Sequence, residues 1–279
     1  ACTGHINAER GAFVNPVKPP HPSIEQIREV CQPPAVRDRK NSEHWVADVY
    51  LRDISPYLTS LLLRTPISAN GVTYLMIATG ALAGVALLIP GMPGASLALV
   101  LGQMQMLWDC SDGEIARWRG TSSPKGVFLD RVGHYVAESF IPVALGLRAA
   151  GFPDPGWLES AWPLIGALLA LIIMFNKALN DMVHVSRAYN NMPTLQDKES
   201  VGVPSVSGLR RVRSLARFVP FHRAYHSVEL TILAFVAAVG DLLTSDLQVT
   251  RILVGTLAVL GVCTVLGHFM AIMTSSKLK

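Results

Sequence analysis

Charge along this chain is confined to short intervals between apolar runs of about the 20 residues that a helix needs to cross a bilayer core. Six such runs predict spanning helices, over about Asn70–Ile89, Ala95–Trp118, Gly126–Ala149, Ala161–Tyr189, Tyr225–Leu243 and Thr250–Met273. The turn Pro90-Gly91-Met92-Pro93-Gly94 ends the first, and Gly151 and Pro153 end the third. Ahead of them, residues 43–66 place Trp45, Val46, Val49, Tyr50, Ile54, Tyr57, Leu58, Leu61 and Leu62 at helical spacing, with Arg52, Asp53 and Arg64 between them. Too polar to span, this segment suits a helix lying in the plane of the interface; an ordinary packing helix is the alternative. Residues 1–42 read as a polar, Pro-rich tail with a short helix from Ser23 to Cys31, stopped by Pro33-Pro34. The predicted fold is all-α and integral to a membrane. It comprises the tail 1–42, an amphipathic interfacial helix 43–66 and a six-helix transmembrane catalytic domain 67–276.

Composition agrees. The 279 residues are 50% hydrophobic and 16% charged, where a soluble domain carries about 25% charged residues. The formal net charge of +4 forms no basic stripe interleaved with aromatics, so nucleic acid is not an expected partner. The cations flank apolar runs instead, as topogenic signals beside anionic lipid do. Arg117, Arg119 and Lys125 lie in one turn; Lys198, Arg210, Arg211, Arg213, Arg217 and Arg223 lie in the loop 188–224; Lys277 and Lys279 lie in the tail. The opposite connections hold only Arg148 and Arg251 at their margins. Positive-inside logic therefore expects both termini and the basic loops in the cytoplasm, in a plasma membrane of bacterial type. The polar start is not read as a signal peptide. Cys2, Cys31, Cys110 and Cys263 have no CxxC spacing, which argues against a disulfide framework or a zinc site.

The second and third runs break their own apolar character where they meet. One finishes Trp108-Asp109-Cys110-Ser111-Asp112-Gly113-Glu114-Ile115-Ala116-Arg117, and the other opens Gly126-Val127-Phe128-Leu129-Asp130-Arg131-Val132-Gly133-His134. Helical spacing puts Asp109, Asp112 and Ala116 on one face, and Asp130, His134 and Glu138 on another. The short turn between them makes the helices antiparallel, so the two faces can oppose each other near the membrane boundary. Carboxylates at that depth need a counter-ion, and hard oxygen ligands without a cysteine cluster favour Mg²⁺ or Mn²⁺. Gly113 and Gly126 leave room for a ligand or a neighbouring helix to approach the backbone. The bland alternative is a set of solvated helix-end charges.

The pattern D-x2-D-G-x2-A-R-x8-G-x3-D, from Asp109 to Asp130, resembles the signature of the CDP-alcohol phosphotransferase family. Thr65-Pro66-Ile67-Ser68-Ala69-Asn70-Gly71-Val72-Thr73 is similar to the T-P-x-x-P-N-x-V-T that leads into that family's first span, with Ala69 in place of the second proline. The resemblance covers about residues 45–273. It implies six transmembrane helices behind an interfacial helix, homodimers, and transfer of a substituted phosphate from a CDP-linked donor to an alcohol with release of CMP. Asp109, Asp112 and Asp130 would bind metal, two Mg²⁺ or Mn²⁺ ions in all, holding the donor's diphosphate. Asn70, Thr73, Asp112, Gly113, Ala116, Arg117 and Gly126 would form the CDP site.

The sequence departs from the family at His134, where a fourth Asp is expected to contact metal and deprotonate the acceptor. Three readings stand: His134 is the catalytic base, with Asp130 and Glu138 assisting; His134 is a metal ligand that changes metal preference; or the site is altered. For the acceptor, Lys125, Lys177 and Arg187 would suit an anionic alcohol such as inositol phosphate, whereas a snorkelling Arg187 and an internal Lys177–Asp181 pair are the bland alternative. His226 and Glu229 read as packing or interface residues. CDP-diacylglycerol is the favoured donor, which makes membrane lipid both solvent and substrate. Soluble CDP-alcohols, a CDP-binding scaffold without turnover, and a transporter with an acidic ion site are the rival readings.

Overall fold

The structure, a computed structural model, describes residues 19, 22–37, 47–193, 195 and 224–278. Trp45, Val46, Cys2, Lys279 and the basic-loop residues Lys198, Arg210, Arg211, Arg213, Arg217 and Arg223 lie outside the described residues, as does nearly all of the stretch 1–21. Among those described there is no strand. The helices are α1 (Ile24–Cys31), the single turn α2 (Pro34–Arg37), α3 (Arg52–Leu63, led in by a π-helical turn Ala47–Leu51), α4 (Ala69–Leu87), α5 (Gly91–Arg119), α6 (Pro124–Ala149), α7 (Trp162–Tyr189), α8 (Ser227–Thr244) and α9 (Gln248–Met273).

The starts follow from side chains that satisfy the first-turn amides. Ser68 Oγ accepts from Gly71 N at 3.0 Å to open α4, and Ser123 Oγ accepts from Gly126 N at 3.2 Å to open α6, with Pro124 in the first turn. Ser23 and Gln26 form a reciprocal capping box on α1. Gly120, at φ +65°, ends α5 in the left-handed conformation that glycine adopts without penalty. The turn between α5 and α6 is thereby closed within four residues, which fixes the two motif helices side by side.

α4, α7, α8 and α9 are long and apolar enough to cross a membrane. α5 and α6 are as long, at 29 and 26 residues, but the polar residues at their facing ends interrupt the apolar run, so composition alone does not identify them as spans. α4 packs along α5 and α6, α6 along α7, α5 along α8, and α9 against α6, α7 and α8. The main core, with Leu87, Ile141, Leu145, Leu169, Leu230 and Val254, fills the end of the bundle away from the polar motifs. α6 and α7 meet backbone to backbone: a Cβ on Gly146 would stand 2.7 Å from the Gly166 Cα, and one on Gly166 2.6 Å from the Gly146 Cα. Small residues permit this close approach where apolar association alone gives no drive between helices in lipid.

At that same end Arg148 donates to the carbonyls of Ile89 (3.1 Å) and Gly91 (2.7 Å), and Arg251 donates to Ala149 O (3.0 Å). These two cations cap the ends of α4 and α6 and are bound in the fold. α3 is turned inside out relative to a soluble helix. Ser55, Thr59 and Ser60 are buried, while Tyr50, Ile54, Tyr57 and Leu61 are exposed. Among the described residues Cys31, Cys110 and Cys263 form no disulfide.

Candidate active site

The last third of α5 and the first half of α6 run antiparallel and bring the two polar faces together. His134 Nε2 lies 3.2 Å from Asp109 Oδ1 and 3.6 Å from Asp130 Oδ1. One ligand atom from each of Asp109, Asp130 and His134 falls within 4.8 Å of the other two, the spacing of a group that could hold one ion. Asp130 is the accessible member, its side chain 42% exposed, against 16% for Asp109 and 18% for His134. The cluster is recessed: Asp130 is six residues beyond Pro124 and Asp109 ten before Arg119, so it lies about 9–15 Å inside the helix ends at 1.5 Å per residue.

Asp112 is outside the three-residue group but within electrostatic range of Asp109 and Asp130. It is nearly buried, and Thr73 Oγ1 donates to its Oδ2 at 2.6 Å. Asn70 lies on the same turn of α4, where a Cβ on Gly126 would stand 3.3 Å from its Oδ1. Asn70, Thr73, Asp112 and Gly126 are thus brought into one neighbourhood. At Gly113 the nearest neighbour of a Cβ would be the guanidinium of Arg117, at 3.1 Å. Arg117 Nε donates to Cys31 O at 2.7 Å, which ties α1 to this end of α5. Ala116 is one helical turn beyond Asp112.

Glu138 is only 1% exposed. Its Oε1 is 2.8 Å from Lys177 Nζ and 3.2 Å from His226 Nδ1, and 3.9 Å from His134 Nδ1. An internal Lys177–Asp181 pair is therefore replaced by two links between α6 and α7. Lys177 goes to Glu138, and Asp181 takes an ion pair from Arg131 and a 3.1 Å hydrogen bond from Tyr135. Asn176, beside Lys177, faces α9, with its Oδ1 2.9 Å from His268 Nδ1. The three expected acceptor cations are not gathered. Lys125 is exposed in the first turn of α6. Arg187 is ten residues beyond Lys177, roughly 15 Å along the helix, and its guanidinium donates to the carbonyls of Pro193 and Lys277.

Two participants escape a reading of the sequence. Glu114, inside the Asp motif, is 2% exposed and accepts from Gln32 Nε2 (2.7 Å), Ser55 Oγ (2.6 Å) and Thr59 Oγ1 (2.6 Å). This explains the inverted face of α3: its hydroxyls turn inward to satisfy a buried carboxylate that has no ion-pair partner among these contacts. The other is His226, at the N-cap of α8, whose contact with Glu138 spans 88 residues of sequence. Only the unusual placement of an acid next to Gly113 hinted at the first, and no local pattern signals the second.

The donor set suits a divalent cation: two carboxylates and one imidazole nitrogen, each partly buried, converge between two antiparallel helices. Residues 66–194 match the sequence model of the CDP-alcohol phosphatidyltransferase family. No curated protein matches the chain. Both motifs fall within the matched stretch except for Thr65, as does every member of the donor cluster, so the likeness to the CDP-alcohol phosphatidyltransferase family is carried by the residues that form this site.

Proposed function

We propose that this chain is a metal-dependent membrane enzyme that moves a phosphatidyl group from CDP-diacylglycerol to an anionic alcohol and releases CMP. The match of residues 66–194 to the CDP-alcohol phosphatidyltransferase model supports a CDP-alcohol donor, and the observation that carries the metal-dependent reading is the convergence of Asp109, Asp130 and His134 within 4.8 Å. These three residues would hold a divalent ion, with Asp112 completing the carboxylates that two ions would share. When bound, such ions supply Lewis-acid neutralisation of the diphosphate and of the departing CMP. The nucleotide lies along Asn70, Thr73, Gly113, Ala116, Arg117 and Gly126, where the two glycines admit it against the backbone.

The chain's own residues do the positioning. His134 acts as a ligand: its Nε2 points at the same spot as the Asp109 and Asp130 oxygens. An imidazole in place of a carboxylate favours Mn²⁺ over Mg²⁺. Asp130, the exposed carboxylate, takes the acceptor's hydroxyl proton as that oxygen bonds to the lipid-bearing phosphorus and the bond to CMP breaks. Lys177, held beside the cluster by Glu138, faces the acceptor with positive charge.

The bundle lies with α4 to α9 as six spans and α3 with its lead-in turn in the interface plane, the exposed Tyr50, Ile54, Tyr57 and Leu61 meeting lipid. The site-bearing end, with Arg117, Arg119 and Lys125, is cytoplasmic. The test is CMP release from CDP-diacylglycerol by the purified protein in detergent, with Mn²⁺ or Mg²⁺, across alcohols including inositol phosphate. Soluble CDP-alcohols run in parallel identify the donor.

A further inference from the structure

Side chains from three helices converge on one oxygen of Glu138. Oε1 lies 2.8 Å from Lys177 on α7, 3.2 Å from His226 at the start of α8, and 3.9 Å from His134 one turn back on α6. Lys177 alone supplies the opposite charge that a buried carboxylate needs. The second close partner at the same oxygen does something else, which is to fix the direction of the carboxylate. At 1% exposure, and gripped from two helices, Glu138 has no path to a substrate proton.

His134 is a rigid ring, so the position of one nitrogen dictates the other. With Nδ1 on the Glu138 side, Nε2 is presented to Asp109 and Asp130. Histidine ligands generally have a carboxylate on the nitrogen away from the metal; here Glu138 is the carboxylate on that side, at 3.9 Å, a charge contact rather than a hydrogen bond. We propose that Glu138 and His226 are a positioning couple behind the donor cluster: His226 aims the Glu138 carboxylate, and Glu138 holds the Lys177 ammonium and places its negative charge behind the Nδ1 side of the His134 ring. The first turn of α8 is then part of the catalytic apparatus although it touches no substrate. This inference rests on the reading of Asp109, Asp130 and His134 as a metal site.

The couple makes a prediction about metal affinity that a packing role does not. Mn²⁺ binding is measured by the electron paramagnetic resonance of free Mn²⁺, on the purified protein with CDP present, for the wild type, Glu138→Gln, His226→Ala and His226→Asn. Glu138→Gln and His226→Ala are expected to weaken Mn²⁺ about tenfold or more, the usual effect of removing a residue that supports a metal ligand. His226→Asn, whose amide can donate from nearly the place of Nδ1, is expected to recover most of the loss. Unchanged Mn²⁺ affinity in Glu138→Gln and His226→Ala would overturn the proposal, as would a His226→Asn no better than His226→Ala. If Glu138→Gln does not fold, the two His226 variants decide by the same criterion. CMP release by the wild type separates the two readings. Mn²⁺ binding with the expected variant pattern but no transfer overturns the reaction and leaves the couple standing. Transfer with Mn²⁺ affinity indifferent to both positions overturns the couple alone. A wild type that binds no Mn²⁺ overturns both.

Discussion

Thr73 Oγ1 donates to Asp112 Oδ2 at 2.6 Å, joining two motifs that are 39 residues apart in the chain. The same hydroxyl is 3.1 Å from Ala69 O one turn back, so it is fixed on α4 and leaves Asp112 one orientation. The first turns of α4 thus serve a carboxylate of α5 directly, and the proposed nucleotide site spans both helices.

Removing that hydroxyl separates aiming from folding. Thr73→Val is expected to cost about 1 kcal/mol of stability, the net value of one buried hydrogen bond. It should also weaken metal-dependent CDP binding, and Thr73→Ser should restore it. Thermal unfolding and CDP titration calorimetry on the three proteins check this; a Thr73→Val protein that binds CDP normally would show that Asp112 needs no orienting partner.

Asp130→Asn keeps the side-chain shape but removes both the charge and the proton acceptor. CMP release is expected to fall by at least about 100-fold, the lower bound for loss of general-base catalysis. Folding, followed by size-exclusion profile and melting temperature, should hold. Retained turnover would place the base elsewhere, with His134 the first candidate.

His134→Asp exchanges an imidazole for a hard oxygen ligand. Turnover ratios with Mg²⁺ against Mn²⁺ are expected to shift toward Mg²⁺. A fall in activity with both metals, and no change in their ratio, would instead support His134 as the base.

Much of this architecture is legible in the amino-acid order because lipid-facing helices announce themselves by length and by their stops. The run predicted from Gly126 to Ala149 is the helix Pro124–Ala149, displaced only where Ser123 and Pro124 start it. The Asp109, Asp130 and His134 cluster follows from helical spacing plus one short turn. What sequence does not reveal is the pairing of polar side chains over long separations. Lys177 and Asp181 are one turn apart and look like partners, yet each has a closer opposite charge on α6, in Glu138 and Arg131. Arg148 and Arg251 count as sparse charges in a topology argument but are spent on helix-end carbonyls. In the same way, the polar residues of α3 look like a solvent face until Glu114 is found beneath them.

Glu114→Ala should therefore act on stability and on the docking of the N-terminal segment. It leaves the hydroxyls of Ser55 and Thr59 and one amide hydrogen of Gln32 without their acceptor, a loss of about 2 kcal/mol, within the range for stranding buried hydrogen-bond donors. Lower melting temperature and faster proteolytic cleavage around residues 32–52 are expected. A variant as stable and as protease-resistant as the wild type would remove Glu114 from its role as the anchor of α1 and α3.

The most direct measurement is the release of CMP from CDP-diacylglycerol by purified protein, with and without Mn²⁺, as each alcohol acceptor is added in turn. Release is expected to require both metal and an anionic alcohol, to disappear in Asp109→Asn, and to yield a lipid carrying the acceptor. Metal-independent release, or no release from any CDP-linked donor by a folded protein that also fails to bind CDP with metal, would contradict the proposed reaction.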